Sequence, residues 1–302
     1  MIASARACVS HVAHGYTESA VRVFAASPRM TRCPSTALLA LFLTALPLQA
    51  LAQSRAQGLQ LQQLEGAGLG STKPDGWSVT VGLGLADAPV YPGASQERVH
   101  AIPLFAVSYS DLLVISPFGL AVKALRLDGF FAGPVLGYEG SRRESDDPRL
   151  AGLGDIPASI TGGVFAGYRL GRWEALLTAR QALTHSGNGL QGLLELNYRM
   201  PLAPARMSLT LGPQLTFADA QFNRTWFGVS AVQSGTSGLP VYTPDGGVDS
   251  YGLHASLTSA MNEHLLIHAF AEVHRLTGDV ADSPIVQRPT QGSLGVGVAY
   301  HF

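Results

Sequence analysis

The chain has 302 residues, of which 14% are charged and 46% apolar, with a formal net charge of -1. Ordinary soluble domains carry about 25% charged residues, so the low charge excludes a disordered polyampholyte, and the near-neutral balance offers no cationic face for nucleic acid. The 2 cysteines cannot build a disulfide scaffold or a structural zinc site.

The longest apolar run, Ala37–Leu48, follows Arg29 and Arg32 and precedes Ala50-Leu51-Ala52. It is shorter than the roughly 18 to 20 residues a spanning helix needs. A basic start, a short apolar core and small residues at its end predict a secretory signal cleaved after Ala52. Met30 is a normal initiator for such a signal, so residues 1–29 read as an over-extended start. Cys8 and Cys33 both precede the cleavage point, which suits passage through an oxidising compartment. Residues 53–75 are Gln-rich, then Gly-rich, and end in Lys73-Pro74-Asp75. They are expected to form a periplasmic tail. A flexible linker is its plain reading, with Leu59, Leu61 and Leu64 placed for a short helical turn.

After the signal, Gly, Pro or a polar residue interrupts every apolar stretch, and apolar residues recur at period two. In Trp77–Leu85, Trp77, Val79, Val81, Leu83 and Leu85 alternate with Ser78, Thr80, Gly82 and Gly84. Leu194–Met200, Met207–Phe217, Tyr251–Leu257, Leu265–Val273 and Leu294–Phe302 repeat the pattern. Period two places alternate side chains on opposite sheet faces. A soluble sandwich alternates in the same way, so three further features decide. The chain carries an export signal. The strands are about 9 to 12 residues long, against the usual 5 to 6. The chain closes an alternating strand on Tyr300-His301-Phe302. Residues 76–302 are therefore expected to be all-β: a transmembrane antiparallel up-and-down β-barrel in a bacterial outer membrane, in contact with its lipid and lipopolysaccharide. Phe302 resembles the terminal signal that such barrels present to the barrel insertion machinery.

Barrels of this kind have an even strand number, short periplasmic turns and longer external loops. The long connections are 87–97, 141–157, 218–249 and 277–290; the short ones are 109–111, 126–128, 171–172, 201–205 and 261–263. Counting back from a final strand that ends in the periplasm, inside and outside alternate consistently only if an extra hairpin lies between Asp111 and Leu125, bending near Phe118-Gly119. That predicts about twelve strands; without the hairpin there are ten.

Chemical constellations are weak. His264, His268, Glu272 and His274 share one strand face. Same-face neighbours are about 7 Å apart, so a polar lumen wall is expected rather than a metal site. There is no H-E-x-x-H and no G-x-S-x-G, and His185 and Ser186, adjacent in a tight loop, face opposite ways. No catalytic, cofactor or metal site is assigned, and the chain is expected not to be an enzyme. Glu139, Arg142, Arg143, Glu144, Asp146, Asp147 and Arg149 are expected to form a solvated loop whose ion pairs count for little. Binding of lipopolysaccharide phosphates or divalent cations is the alternative there. Asp279, Asp282 and Ser283 offer oxygens, but calcium takes about six. Under the alternative of a small-solute pore, Gly82, Gly84, Gly295 and Gly297 are the residues that could leave the lumen open.

Four blocks resemble the MipA/OmpV family of outer-membrane proteins. They are Tyr91-Pro92-Gly93-Ala94; Gly137 to Arg142 with Leu150 to Asp155; Trp226 to Ser230 with Ser237-Gly238-Leu239 and Tyr242; and Leu276 to Val286. Their order and spacing match from about Gly76 to Phe302. The resemblance implies a non-enzymatic barrel, with a lytic transglycosylase and a bifunctional penicillin-binding protein of peptidoglycan remodelling as partners of one namesake. The other namesake is associated with osmotic response and adhesion. A small-solute pore and a surface adhesin acting through residues 141–157 and 218–249 are the alternatives. Short periplasmic turns leave little surface for a partner, so Gln53–Asp75 would carry much of any docking.

Overall fold

Apolar and aromatic residues alternating with small polar ones suit a pleated strand with two unlike faces. The computed structural model describes residues 76–184, 189–202 and 206–302. The expected signal, its cleavage point at Ala52, the tail at 53–75, and His185 and Ser186 lie outside the described residues. The strands are β1 (Trp77–Pro89), β2 (Glu97–Tyr109), β3 (Leu113–Ser116), β4 (Gly119–Val122), β5 (Leu125–Leu127), β6 (Phe130–Glu139) and β7 (Ser159–Leu170). They continue as β8 (Trp173–Ala182), β9 (Leu190–Leu202), β10 (Met207–Ala218), β11 (Gly247–Ala260), β12 (Leu265–Leu276) and β13 (Thr290–His301). Every pairing is antiparallel. β1 pairs with both β2 and β13, and the pairing of β4 with β6 closes the sheet on itself. β4 and β5 lie on the same edge of β6 as two halves of one broken strand. The wall thus has twelve crossings, as expected.

The expected extra hairpin is β3–β4, turning at Pro117-Phe118. The break between β4 and β5 falls at Lys123-Ala124. There the Lys123 N–H donates to the Leu112 carbonyl at 2.8 Å and the ammonium pairs with Asp111 at 2.7 Å. The Val122 carbonyl presses on Gly133, where a Cβ would lie 1.7 Å from that oxygen. Only glycine admits such an approach. This seam is the thinnest part of the wall. β2 meets β3, and β4 meets β6, over three residue pairs each, whereas β1 and β2 pair along their whole length.

Alternation sets the two faces as expected. Leu83, Leu85, Leu253 and Val296 face outward and are more than half exposed, while Thr80, Thr258 and Ser293 are buried inside. At the end with the short turns, three aromatic pairs ring the outer face. Their centroids lie 4.9 Å apart for Trp77–Tyr109, 4.7 Å for Trp173–Tyr198 and 4.8 Å for Tyr300–Phe302. Aromatic girdles mark the membrane–water boundary, and turn length makes this end the periplasmic one.

Inside, Val114, Ala121, Phe131, Val135, Phe165 and Leu176 form an apolar cluster behind the thin seam. Ala86, Ile102, Leu104 and Phe270 form another. The alternative in which glycines leave the lumen open fails here. A Cβ on Gly295 would lie 2.4 Å from the Phe270 ring, and one on Gly297 would lie 2.4 Å from Leu104 Cδ1. The large side chains occupy the space that the small ones leave.

Candidate functional site

The register of β8–β13 stacks inward residues into rows. One row runs Leu176, Glu195, Gln214, Gly252, His274 and Gln291 across neighbouring strands. In the adjacent row Glu174 lies opposite Asn197, and Gly212 opposite His254, which lies opposite Glu272. Gly212 has no side chain to separate its neighbours, so Asn197 Oδ1 lies 2.5 Å from His254 Nε2. Gln214 Nε2 donates to Glu272 Oε1 at 2.5 Å, and His274 Nδ1 lies 3.3 Å from the same oxygen. Arg169 Nε donates to Glu174 at 2.6 Å. The result is a polar belt across one side of the lumen, hydrogen-bonded in part: among the described residues, Glu195 Oε2 and His254 Nδ1 are buried without a hydrogen-bond partner.

Of the four residues expected on one lumen face, His268, Glu272 and His274 do face inward on β12. His268 Nδ1 lies 3.0 Å from Thr258 Oγ1. His264 is displaced: it sits exposed in the turn before β12, stacked on Tyr300 with centroids 5.2 Å apart. The turn takes that residue because Asn262 Oδ1 accepts from the backbone N–H groups of His264 and Leu265. Among the described residues no three His, Cys, Asp or Glu are placed to hold a metal.

The external loops are not a solvated fringe. They fold into a cap built from α1 (Ala220–Phe227), α2 (Ala231–Ser237), α3 (Gly278–Ala281) and two short 3-10 turns. Asp219 accepts from the Phe222 N–H to start α1, and Ser230 and Gln233 form a reciprocal capping box on α2, each satisfying otherwise unpaired helix donors. The cap has two apolar cores. One gathers Val90, Tyr91, Leu150, Leu153, Val229 and Ile285; the other gathers Ile156, Phe222, Trp226, Phe227, Leu276 and Val280.

Within the cap the four family-like blocks, far apart in sequence, touch one another. Tyr91 donates to the Ile285 carbonyl at 3.0 Å, and Ser283 donates to the Phe227 carbonyl at 2.6 Å. The Arg142 guanidinium donates to the Trp226 carbonyl, and Thr236, next to the third block's Ser237, donates to the Gly152 carbonyl at 2.6 Å. Gly93 has φ 97° and the Val286 side chain packed where a Cβ would go. Arg142 is 2% exposed and Asp147 is 4% exposed, which corrects the expectation of a solvated mixed-charge loop at these two residues, while Arg143 and Arg149 are exposed as expected. Composition hid this, because burial there comes from partners on other loops. The one local signal was the spacing of Leu150, Leu153 and Ile156. Burial lowers the Arg142 guanidinium to about 10 and raises the Tyr91 phenol to about 12.

Beneath the cap, a cavity of about 60 Å³ is lined by Pro92 and Phe227 from above and by Gln214, Glu272 and His274 from the belt. That space has room for a few waters. At the periplasmic end, a pocket of about 210 Å³ opens into the mouth of the cylinder and is lined by Arg169, Arg172, Arg199, Asn197 and Thr210, among others. Sequence reading passed over these arginines because Arg199 on β9 is far along the chain from the β7–β8 hairpin that carries Arg169 and Arg172.

A sequence profile of the family described as MltA-interacting protein MipA matches residues 81–302. The Escherichia coli (strain K12) protein YiaT is 27% identical over 53% of this chain and 63% of its own length. The MltA-interacting protein of the same strain is 29% identical over 32% of this chain and 38% of its own length. The outer membrane protein Omp26La of Vibrio anguillarum is 25% identical over 61% of this chain and 69% of its own. The alignments to the two Escherichia coli relatives thus span less than two thirds of their length. Among solved structures, an outer membrane channel from Pseudomonas putida F1 is 12% identical, covering 77% of this chain and 97% of that one, with a TM-score of 0.39.

Proposed function

The chain belongs to the MltA-interacting protein MipA family, and on that premise we propose that it is a non-enzymatic outer-membrane barrel that scaffolds murein-remodelling enzymes from its periplasmic end. The observation that carries this reading is the filled cylinder. Apolar clusters and the polar belt occupy the lumen, and the folded cap covers its outer end. That argues against a small-solute pore and directs attention to the outer surfaces of the barrel. The relative named MltA-interacting protein supports a lytic transglycosylase as the partner.

A stable contact buries roughly 1,200 Å² or more. The short turns supply part of it, and residues 53–75 supply the rest. In a pull-down from envelope extracts, the mature chain is expected to recover a lytic transglycosylase, and deletion of 53–75 to weaken that recovery. Recovery of no murein enzyme by either form overturns the reading. Planar-bilayer recordings are expected to show no steady conductance.

The chain is expected to be exported and to begin at Gln53 when mature, which N-terminal sequencing checks. Phe302 is 71% exposed on the periplasmic girdle, and its N–H is held by the Val79 carbonyl at 2.9 Å. That placement supports recognition by the insertion machinery. Phe302→Ala is expected to lower the outer-membrane level more than the stability of what does assemble. Normal levels in cells contradict this.

A further inference from the structure

We propose that the periplasmic mouth holds a recognition pocket for the carboxylate of a short peptide, with Arg172 and Arg199 as its two anion-binding groups. Inward residues on β9 are odd-numbered, so Arg199 points into the cylinder along with Glu195 and Asn197. Arg172 lies in the β7–β8 turn. Its carbonyl accepts from the Arg199 N–H at 2.9 Å, which sets the two arginines side by side. Arg199 is half-buried and Arg172 exposed. Among the described residues neither guanidinium has a side-chain partner. The one carboxylate in the pocket wall, Glu174, is paired with Arg169, so it does not cancel the two free charges.

A guanidinium presents five donors in a fork that fits a carboxylate with two parallel bonds. Asn197 and Thr210 in the same wall add polar groups beside it. The pocket, about 210 Å³, takes the end of a peptide rather than a folded domain. Apart from Trp173 of the outer girdle, its lining residues are inward residues of β7, β8, β9 and β10 or belong to the β7–β8 turn at the periplasmic end, so the ligand arrives from the periplasm. The positive charge and the pocket stand on geometry alone. The choice of a murein stem peptide as ligand rests on the scaffold reading, because such peptides end in free carboxylates.

The test is fluorescence anisotropy of a labelled murein stem pentapeptide with the detergent-solubilised full chain. The free acid is expected to bind, and its C-terminal amide to bind at least tenfold more weakly. Arg172→Gln and Arg199→Gln are each expected to weaken the acid fivefold or more, and Arg199→Lys less. Heat-modifiable gel mobility checks that each variant is folded. Equal binding of acid and amide, or unchanged binding by both folded Gln variants, overturns the proposal. Displacement of the peptide by inorganic phosphate at equal concentration also overturns it, in favour of a general anion site.

Recovery of the lytic transglycosylase is measured on the same variants. Peptide binding without enzyme recovery leaves the pocket standing and removes the scaffold. Enzyme recovery without peptide binding does the reverse.

Discussion

The two sides of the lumen are held together differently. Behind β8–β13 the backbone ladders are long, and the interior carries a polar belt of Glu195, Gln214, His254 and Glu272. Behind the β2–β3–β4–β6 seam the ladders shrink to three or four residue pairs, and the interior is apolar, with Phe131 and Phe165 at 6.3 Å between ring centroids. Where the wall lacks hydrogen bonds, side-chain packing must hold the strands. Where the wall is complete, packing need not hold the strands, and the interior carries polar groups in the belt as well as the apolar cluster of Ile102, Leu104 and Phe270.

The most damaging change should therefore strike the seam. Phe131→Ala empties the apolar cluster and removes the ring over which Lys123 and Arg169 lie. It is expected to cost about 3 to 5 kcal/mol, read from urea unfolding in lipid vesicles; a loss below that of the belt variant would break the comparison. On the outside of the complete wall, Leu253→Arg puts a charge into lipid and should cost about 2 to 4 kcal/mol near the midplane. An unchanged unfolding curve would mean that the faces are reversed.

Within the belt, Asn197→Leu leaves the buried His254 Nε2 without its acceptor, which should cost about 1 to 3 kcal/mol. A neutral result would show that the belt fills space without adding stability.

The smallest effect falls on the cap. Tyr91→Phe removes the bond to the Ile285 carbonyl and should cost about 1 kcal/mol at neutral pH. Its pH dependence is more telling. Burial first, opposed by the Gln287 bond, raises the folded Tyr91 pKa from 10.0 to about 12. Its contribution is whole below pH 10 and is lost as pH rises towards about 12, because the unfolded cap ionises first. Arg142 has the opposite sign. Burial lowers it from 12.5 to about 10, so the unfolded cap holds the proton longer and stability rises over that window. The wild-type cap should change little between the two, and Tyr91→Phe should leave only the rise. Near-ultraviolet circular dichroism of urea unfolding at stepped pH follows this, and a falling curve in the variant would refute it.

Local order alone determined much of this protein. Period-two alternation set which residues face lipid, because a strand turns its side chains by half a revolution per residue. Turn lengths and parity required the β3–β4 hairpin and hence twelve strands. Tertiary structure alone decided what fills the cylinder and what closes it. The glycines at 295 and 297 were small in sequence, but whether Phe270 and Leu104 would take up that space depends on strands that meet only when the sheet closes. The burial of Arg142 and Asp147 depends on Trp226 and Gln287, which lie on other loops. The pairing of Arg172 with Arg199 depends on the register between β8 and β9. Alternation is a property of neighbours along the chain, whereas packing and charge pairing are properties of neighbours in space.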